Sequence, residues 1–317
     1  MALAGDTMLG RGVARALAAG PPARLVAPED AELMRAADLV VVNLECCVSD
    51  RGRRWDAPGK PFHFRAPPSA VELLALLGVG CVTLANNHAL DYGPEALLDT
   101  LDHLAGAGIT AVGAGPALDE ARRPVILDAA GLRVAVVGAT DHPADFAAGP
   151  ARPGVAYADL ADGVPEWLLA AVRDAAAHAD AVLVTPHWGP NMTRAPVPHV
   201  RRAAAALVEA GATLVAGHSA HLPHGVGGRV LYDLGDFLDD YAVDPRLRND
   251  LGLLFLVTMD ERGPASAEAV PLALDYCRTR LADGADAAWV RRRFRAACAA
   301  LGTEVDERAG RLVVSLR

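Results

Sequence analysis

The sequence predicts an α/β fold in which β-sheets pack on each other and helices cover them outside, rather than a simple dinucleotide-binding domain. Three observations carry this. Short runs rich in Val, Leu and Ile recur along the chain, as buried strands require. Through the first two-thirds they alternate with segments of helical periodicity. The stretch 225–275 is instead strand-rich with tight turns. Stacked sheets with outer helices accommodate both patterns.

The first apolar residues, before Asp6, make a very short strand, which suggests that residues precede Met1 in the native chain. Further strands are expected at 38–44, 79–85, 132–138, 180–185, 212–216, 229–234 and 252–258. Pro94 opens a helix carrying Leu97, Leu98, Leu101 and Leu104, which stops near Gly106. Pro165 opens another, with Trp167, Leu168 and Val172 on one side. A third runs from Pro198 to Ala210 and a fourth from Ala285 to Leu301. Segment 50–69 is polar, Pro-rich and without periodicity, and is long for a connection in a compact domain. It is either a functional loop or a mobile one. Residues 1–275 read as one domain, and 276–317 as an Arg-rich helix and a last strand, Leu312 to Leu316, packed on it. The arginines at 291–295 are expected to face solvent, with Trp289 and Phe294 turned inward.

Composition bounds the function. Of 317 residues, 52% are hydrophobic, enough for a sizeable core. The formal charge is −9 and Lys60 is the only lysine, so nucleic acid is not an expected partner. Five scattered cysteines without a C-x-x-C pair argue against a disulfide framework, and the adjacent Cys46 and Cys47 are expected to be reduced. No signal pattern and no long apolar stretch is present, so the chain reads as cytoplasmic, or as membrane-associated if an N-terminal anchor has been removed.

Five polar clusters follow apolar runs: Gly5-Asp6-Thr7-Met8, Asn43-Leu44-Glu45, Asn86 to Asp91, Pro186 to Gly189, and Gly217 to His221. In open α/β folds, strand ends are where ligands bind. Gly5, just before Asp6, lets backbone approach a ligand closely. A carboxylate such as Glu45 at the end of a buried strand is costly unless it meets a cation. Asp91 follows His88 by three residues and can fix the tautomer of an imidazole. His221 follows His218 by three, so a tight loop can aim both at one ion. Together Asp6, Glu45, Asn87, His187, His218 and His221 offer mixed N/O ligands for two divalent metal ions, for which Mn, Zn or Fe are suited. Two such ions are a recurrent device for hydrolysing phosphate esters.

These clusters carry a resemblance. Gly5 to Arg11, Asn43-Leu44-Glu45, Phe64 to Pro68, Ala85 to Gly93, the Gly217 to Gly225 loop and Tyr232 to Phe237 are similar to the capsule-synthesis protein CapA (poly-γ-glutamate biosynthesis) family, a branch of the calcineurin-like metallophosphoesterase superfamily. The likeness spans residues 1–260 in family order. It implies a four-layer α/β/β/α sandwich, metallophosphoesterase-like, with a metal centre at the strand ends. Asp6 would then ligate one metal, Glu45 would take the bridging position, and Asn87, His187 and His218 would hold the second. His221 would complete the first site. His88 would act as general acid or as a hydrogen-bond donor to the transition state, oriented by Asp91. The chain departs from the superfamily pattern in three places: Met8 stands where a histidine is usual, Glu45 replaces an aspartate, and two residues rather than one separate His218 from His221.

Arg11, Asn43 and Arg65 are the candidate substrate contacts, for a small anionic substrate or a poly-γ-glutamate-like polymer; Lys60 and His63 could also grip a carboxylate or phosphate, but surface solvation is expected of them. Asp141-His142 follows a strand end but has no role under the resemblance, and Asp233 and Asp236 are expected to organise a turn or to support the ligands from behind rather than bind metal. Two functions follow. One is a metal-dependent hydrolase acting on a phosphate ester or related bond. The other is a biosynthesis factor that binds an anionic polymer or intermediate without phosphatase activity. A purely structural role fits poorly with so many polar groups at strand ends.

Overall fold

A computed structural model describes residues 1–57 and 59–317. Its larger sheet runs, edge to edge, through Asp306–Arg308, Arg311–Ser315, Gly263–Asp275, Leu251–Asp260, Ala2–Thr7, Val40–Leu44, Cys81–Thr83 and Thr110–Val112. Asp236–Leu238 also pairs with the first strand, and Arg278–Leu281 with Gly263–Asp275. The second sheet runs Val226–Gly227, Val230–Leu231, Leu214–Ala216, Ala181–His187, Leu132–Thr140 and Val125–Ala129. Each sheet has a parallel heart, Ala2–Thr7 to Thr110–Val112 in one and Leu132–Thr140 to Val230–Leu231 in the other.

Alternation along each strand sorts side chains into layers. Leu3, Val41 and Cys81 of the larger sheet meet Val134, Val136, Leu183 and Leu214 of the second. The opposite face, Ala2, Ala4, Val40 and Val42, is covered by Val13, Leu17, Met34, Leu73 and Leu97 from helices Arg11–Ala19, Pro28–Arg35, Val71–Leu76 and Gly93–Gly106. The outer face of the second sheet, Val137, Val182 and Val184, packs on Leu168, Val172 and Leu207 of helices Glu166–His178 and Pro198–Glu209. The result is the expected four-layer α/β/β/α sandwich. Strands buried on both faces need apolar residues on both faces, which is why their sequences are nearly continuous apolar runs.

Several boundaries differ from expectation. The first strand has six residues, Ala2–Thr7. The 229–234 run keeps only Val230–Leu231 as strand, because the chain then leaves the sheet to give its Tyr232 carbonyl to the Trp188 indole and its Leu234 amide to the Gly217 carbonyl. The helices Arg11–Ala19, Pro28–Arg35 and Val71–Leu76 lack a leucine stripe long enough to stand out in the sequence. In the tail, Arg311–Ser315 extends the larger sheet beside Gly263–Asp275, and helix Gly284–Ala299 sets Phe294 against Phe255, ring centres 5.8 Å apart. The arginines of that helix are not simply solvated. Arg291 donates to the Gly310 carbonyl and Arg295 pairs with Glu307, tying the helix to the last hairpin. All five cysteines are buried free thiols, and burial pushes that of Cys47 up to about 12. Among the described residues, no helix is long and apolar enough to cross a membrane.

Candidate metal centre

Register brings the polar clusters together. Asp6 stands opposite Asn43 on one neighbouring strand and Asp236 on the other, and His187 is paired with His218 in the second sheet. Parallel strands end on the same edge, so residues distant in sequence meet there. Gly5 makes the tightest approach possible. A Cβ at that position would lie 1.8 Å from the Gly235 carbonyl oxygen, which accepts the Asp6 amide at 2.9 Å. The glycine was expected to admit a ligand; it admits the Gly235 backbone instead, and so sets Asp236 beside Asp6.

Around Asp6 the side chains converge. His218 Nδ1 lies 3.3 Å from its Oδ1 and His221 Nδ1 3.3 Å from its Oδ2. The three-residue step from His218 to His221 is made with left-handed backbone at Ser219 (φ 106°) and His221 (φ 57°), a strained loop of the kind that functional sites retain. Asn43 donates to Asp6 Oδ1 at 2.7 Å, and Asp236 Oδ1 lies 2.8 Å from His221 Nδ1. Two groups of potential ligand atoms lie within 4.8 Å of one another: Asp6, His221 and Asp236, and Asp6, Glu45 and His187. Asp6 is common to both, whereas the resemblance assigns the bridging position to Glu45.

The residues fit a cation on a direct test. Buried polar atoms normally find partners, yet Asp6 Oδ2, Glu45 Oε1, Asn87 Oδ1, His187 Nε2, His218 Nδ1 and Asp236 Oδ2 are buried with none. All but the Asn87 oxygen, which lies beside His88, belong to the cluster around Asp6, and orphaned donors of metal-ligating type have a common remedy in divalent ions. Met8, the departure from the usual histidine, is fully buried and its sulfur accepts the Gly10 amide at 3.0 Å, so it belongs to the core.

Electrostatics reports the same crowding. Burial drives the Asp6 carboxyl up, but the imidazoles of His218 and His221, 3.3 Å away, overcome it and hold it well below the usual range. Burial, and then the charge of Asp6, push Glu45 well above its usual value. Burial raises Asp236 likewise, against the pull of His221. Burial drives His187 well down, keeping it neutral and ligand-competent. His221 goes well up, because Asp236 and Glu45 outweigh its burial.

His88 sits at the mouth. Its Nδ1 lies 2.5 Å from Asp91 Oδ2, its Nε2 3.9 Å from Glu45 Oε1, and its ring stacks on Phe64 at 4.0 Å. Burial takes it down to about 4 in spite of Asp91. Asp91 also accepts the Phe64 amide at 2.6 Å and pairs with Lys60 at 2.8 Å. Asn87 lines a cavity beside His88, with Lys60 and His142.

The three candidate substrate contacts fare differently. Asn43 is fully buried between Asp6 and Asn86, whose amide it accepts at 2.9 Å, so it positions Asp6 rather than touching substrate. Arg11 lines a second cavity but pairs with Asp240. Arg65 does not reach the centre; it donates to the Arg51 carbonyl and lies over the Tyr92 ring at 4.2 Å. Lys60, on the same loop, points in where Arg65 was expected, because the Asp91 carboxylate and the Asn87 carbonyl receive it. Segment 50–69, of which Pro58 lies outside the described residues, thus lines the site. Asp233 accepts the Ala220 and Gly235 amides at 2.8 Å each and organises a turn as expected. Asp236 lies against His221, the supporting place also expected of it, and in addition belongs to one of the two potential ligand groups. The sequence did hold a signal for it, since Gly235-Asp236 repeats Gly5-Asp6.

Fold and site together define an α/β/β/α protein whose sheet edges build a buried carboxylate–imidazole centre of metal-ligating composition. The chain belongs to the bacterial capsule synthesis protein PGA_cap family, whose model matches residues 1–241. It is 36% identical over 279 residues to a probable polyglutamine synthesis accessory protein of Mycobacterium tuberculosis, covering 81% of this chain and 71% of that one. It is 32% identical to the PGA biosynthesis protein CapA of Bacillus subtilis, over 66% of this chain and 55% of that one. The capsule biosynthesis protein CapA of Bacillus anthracis is 29% identical, over 86% and 66% respectively. Among solved structures, a hypothetical protein from Thermus thermophilus aligns at a TM-score of 0.44 and 16% identity, over 88% of this chain and 95% of that one; so loose a likeness adds nothing to the reading of the site.

Proposed function

We propose that this protein is a metal-dependent hydrolase, acting on a phosphate ester or related bond within poly-glutamate or capsule biosynthesis. The pathway comes from the names of its relatives. The chemistry rests on one observation, the convergence of orphaned buried ligand atoms on Asp6. Asp6, Glu45, Asn87, His187, His218, His221 and Asp236 would hold one or two divalent cations, which activate water and neutralise charge on a reacting phosphoryl group. Asn43 fixes the Asp6 carboxylate from behind. Asp91 holds His88 Nδ1, so that Nε2 is turned toward Glu45, 3.9 Å away. In the free protein that imidazole is neutral at pH 7. An anion docked at Nε2 favours the protonated ring, which then gives its proton to the leaving oxygen.

The second reading is a factor that binds poly-γ-glutamate or its intermediate without cleaving anything. The names of its relatives favour it, and in it the same metal site would bind the carboxylates of such a polymer. Metal analysis of the purified protein, followed by assays of aryl phosphate mono- and diesters with Mn, Zn and Fe, separates the two. Hydrolysis predicts bound metal and a turnover that falls about 100-fold or more in His88→Ala. Metal without turnover, together with saturable poly-γ-glutamate binding, would establish the second reading instead.

A further inference from the structure

The site opens into two unlike cavities. One, of about 590 Å³, is lined by Lys60, Asn87, His142 and Asp145. The other, of about 310 Å³, is lined by Arg11, Phe64, Met192 and Tyr241. Phe62, His88 and Asn191 line both. The smaller lobe has an aromatic wall. Phe62 and Phe64 stack 6.3 Å apart at 16°, Phe64 stacks on His88, and Tyr241 lies 5.7 Å from Phe64 and 5.2 Å from the His221 ring. The wall therefore runs unbroken from the metal centre to the surface. Arg11 closes it, its guanidinium 5.1–5.6 Å from the Phe62, Phe64 and Tyr241 ring centres and its charge matched by Asp240. Despite this company, Phe62 is 55% exposed, a large apolar ring left uncovered at a cavity mouth.

We infer that the smaller lobe is a subsite for a planar apolar group of the substrate, attached to the centre that the metal ions would hold, and that Phe62 selects for it. A lobe walled by rings and holding a neutralised arginine has no use for a second anion. It offers a flat group stacking on Phe62 and contact with Met192. The larger lobe, with Lys60 and His142, takes the polar side. The substrate is then an ester with unlike arms on either side of the reacting atom, rather than a simple monoester. This inference rests on the metal-centre reading, and its test keeps the two apart.

The probes are phenyl methylphosphonate and methyl methylphosphonate, monoanions of equal charge that differ only in the planar arm. Their affinities for the manganese-loaded protein are measured by calorimetry, with metal content determined on the same sample. The phenyl ester should bind about tenfold more tightly. Phe62→Ala should reduce that preference to about twofold or less with metal content intact, and Phe62→Tyr, which keeps the ring, should restore it. Equal affinities in the parent protein, or a preference that survives Phe62→Ala, overturn the subsite while leaving the metal centre standing. Protein that takes up no metal and binds neither phosphonate overturns both.

Discussion

At the scale of single residues, the centre depends on groups that never meet a substrate. Asn43 donates to Asp6 and accepts from Asn86, so one amide spans two of the converging loops. Removing it leaves Asp6 free to rotate and Asn86 short of a buried partner. Asn43→Ala should weaken manganese binding roughly 10- to 100-fold, as loss of a group supporting a ligand does, and lower stability by about 1–3 kcal/mol. Calorimetric titration and urea denaturation check the two effects separately. His224 carries a pH-dependent term. Burial holds it down to about 4, although its Nε2 is hydrogen-bonded to the Thr193 carbonyl at 2.8 Å. The folded state keeps this ring neutral while the unfolded chain protonates near 6.5. Its contribution is therefore complete above pH 6.5 and is lost as pH falls towards 4. By pH 5 the loss is roughly 2 kcal/mol. His224→Gln keeps a donor for Thr193 but cannot titrate, so its stability should fall less than the parent's between pH 7 and pH 5. Parallel pH profiles would refute the assignment.

At the scale of elements, the first strand sets the geometry, and Gly5 sets the strand. Gly5→Ala would drive a methyl group into the Gly235 carbonyl and separate Asp6 from Asp236. The change should cost about 3 kcal/mol or more, and any protein that still folds should bind manganese far more weakly; wild-type affinity in this variant would show that the close approach is not needed. How much of the site could be read in advance follows from the same geometry. Asp6, Glu45, Asn87, His187, His218 and His221 were legible because each lies at or just after the end of an apolar run, and parallel strands deliver their ends to one edge whatever lies between them. Asp236 was not. Its strand has three residues, Asp236–Leu238, too few to declare itself, and its place follows from pairing with Ala2–Thr7 across most of the chain. The 50–69 loop was equally silent about direction. Nothing local to Lys60 or Arg65 says which turns inward; the Asp91 carboxylate, contributed by another segment, decides it.

At the scale of the whole molecule, the layered architecture was visible in the alternation of strands and helices, whereas the way the two sheets face each other is a tertiary fact. That meeting has an energetic consequence. Asp6, Asn43 and Asp236 belong to the larger sheet, with Glu45 just past the end of its strand, and His187 belongs to the second sheet, with His218 bridged to it. Without a cation, these buried carboxylates are costly: burial first, and then the charge of neighbouring carboxylates, drives Glu45 and Asp236 upward. A divalent ion at Asp6 offsets that cost and ties one sheet to the other, so metal should act as a clamp on the sandwich and not only as a cofactor. Binding to the folded state alone stabilises by about 4 kcal/mol at a thousandfold excess over Kd. For a chain of this size that corresponds to a rise in Tm of about 6 °C. Thermal scans of chelator-treated protein with and without added manganese should show this rise. Asp6→Asn should abolish it, since Asp6 is the one member shared by both ligand groups. A melting temperature indifferent to metal in the parent protein, or a rise that persists in Asp6→Asn, would mean that the orphaned ligands do not act together on a common ion.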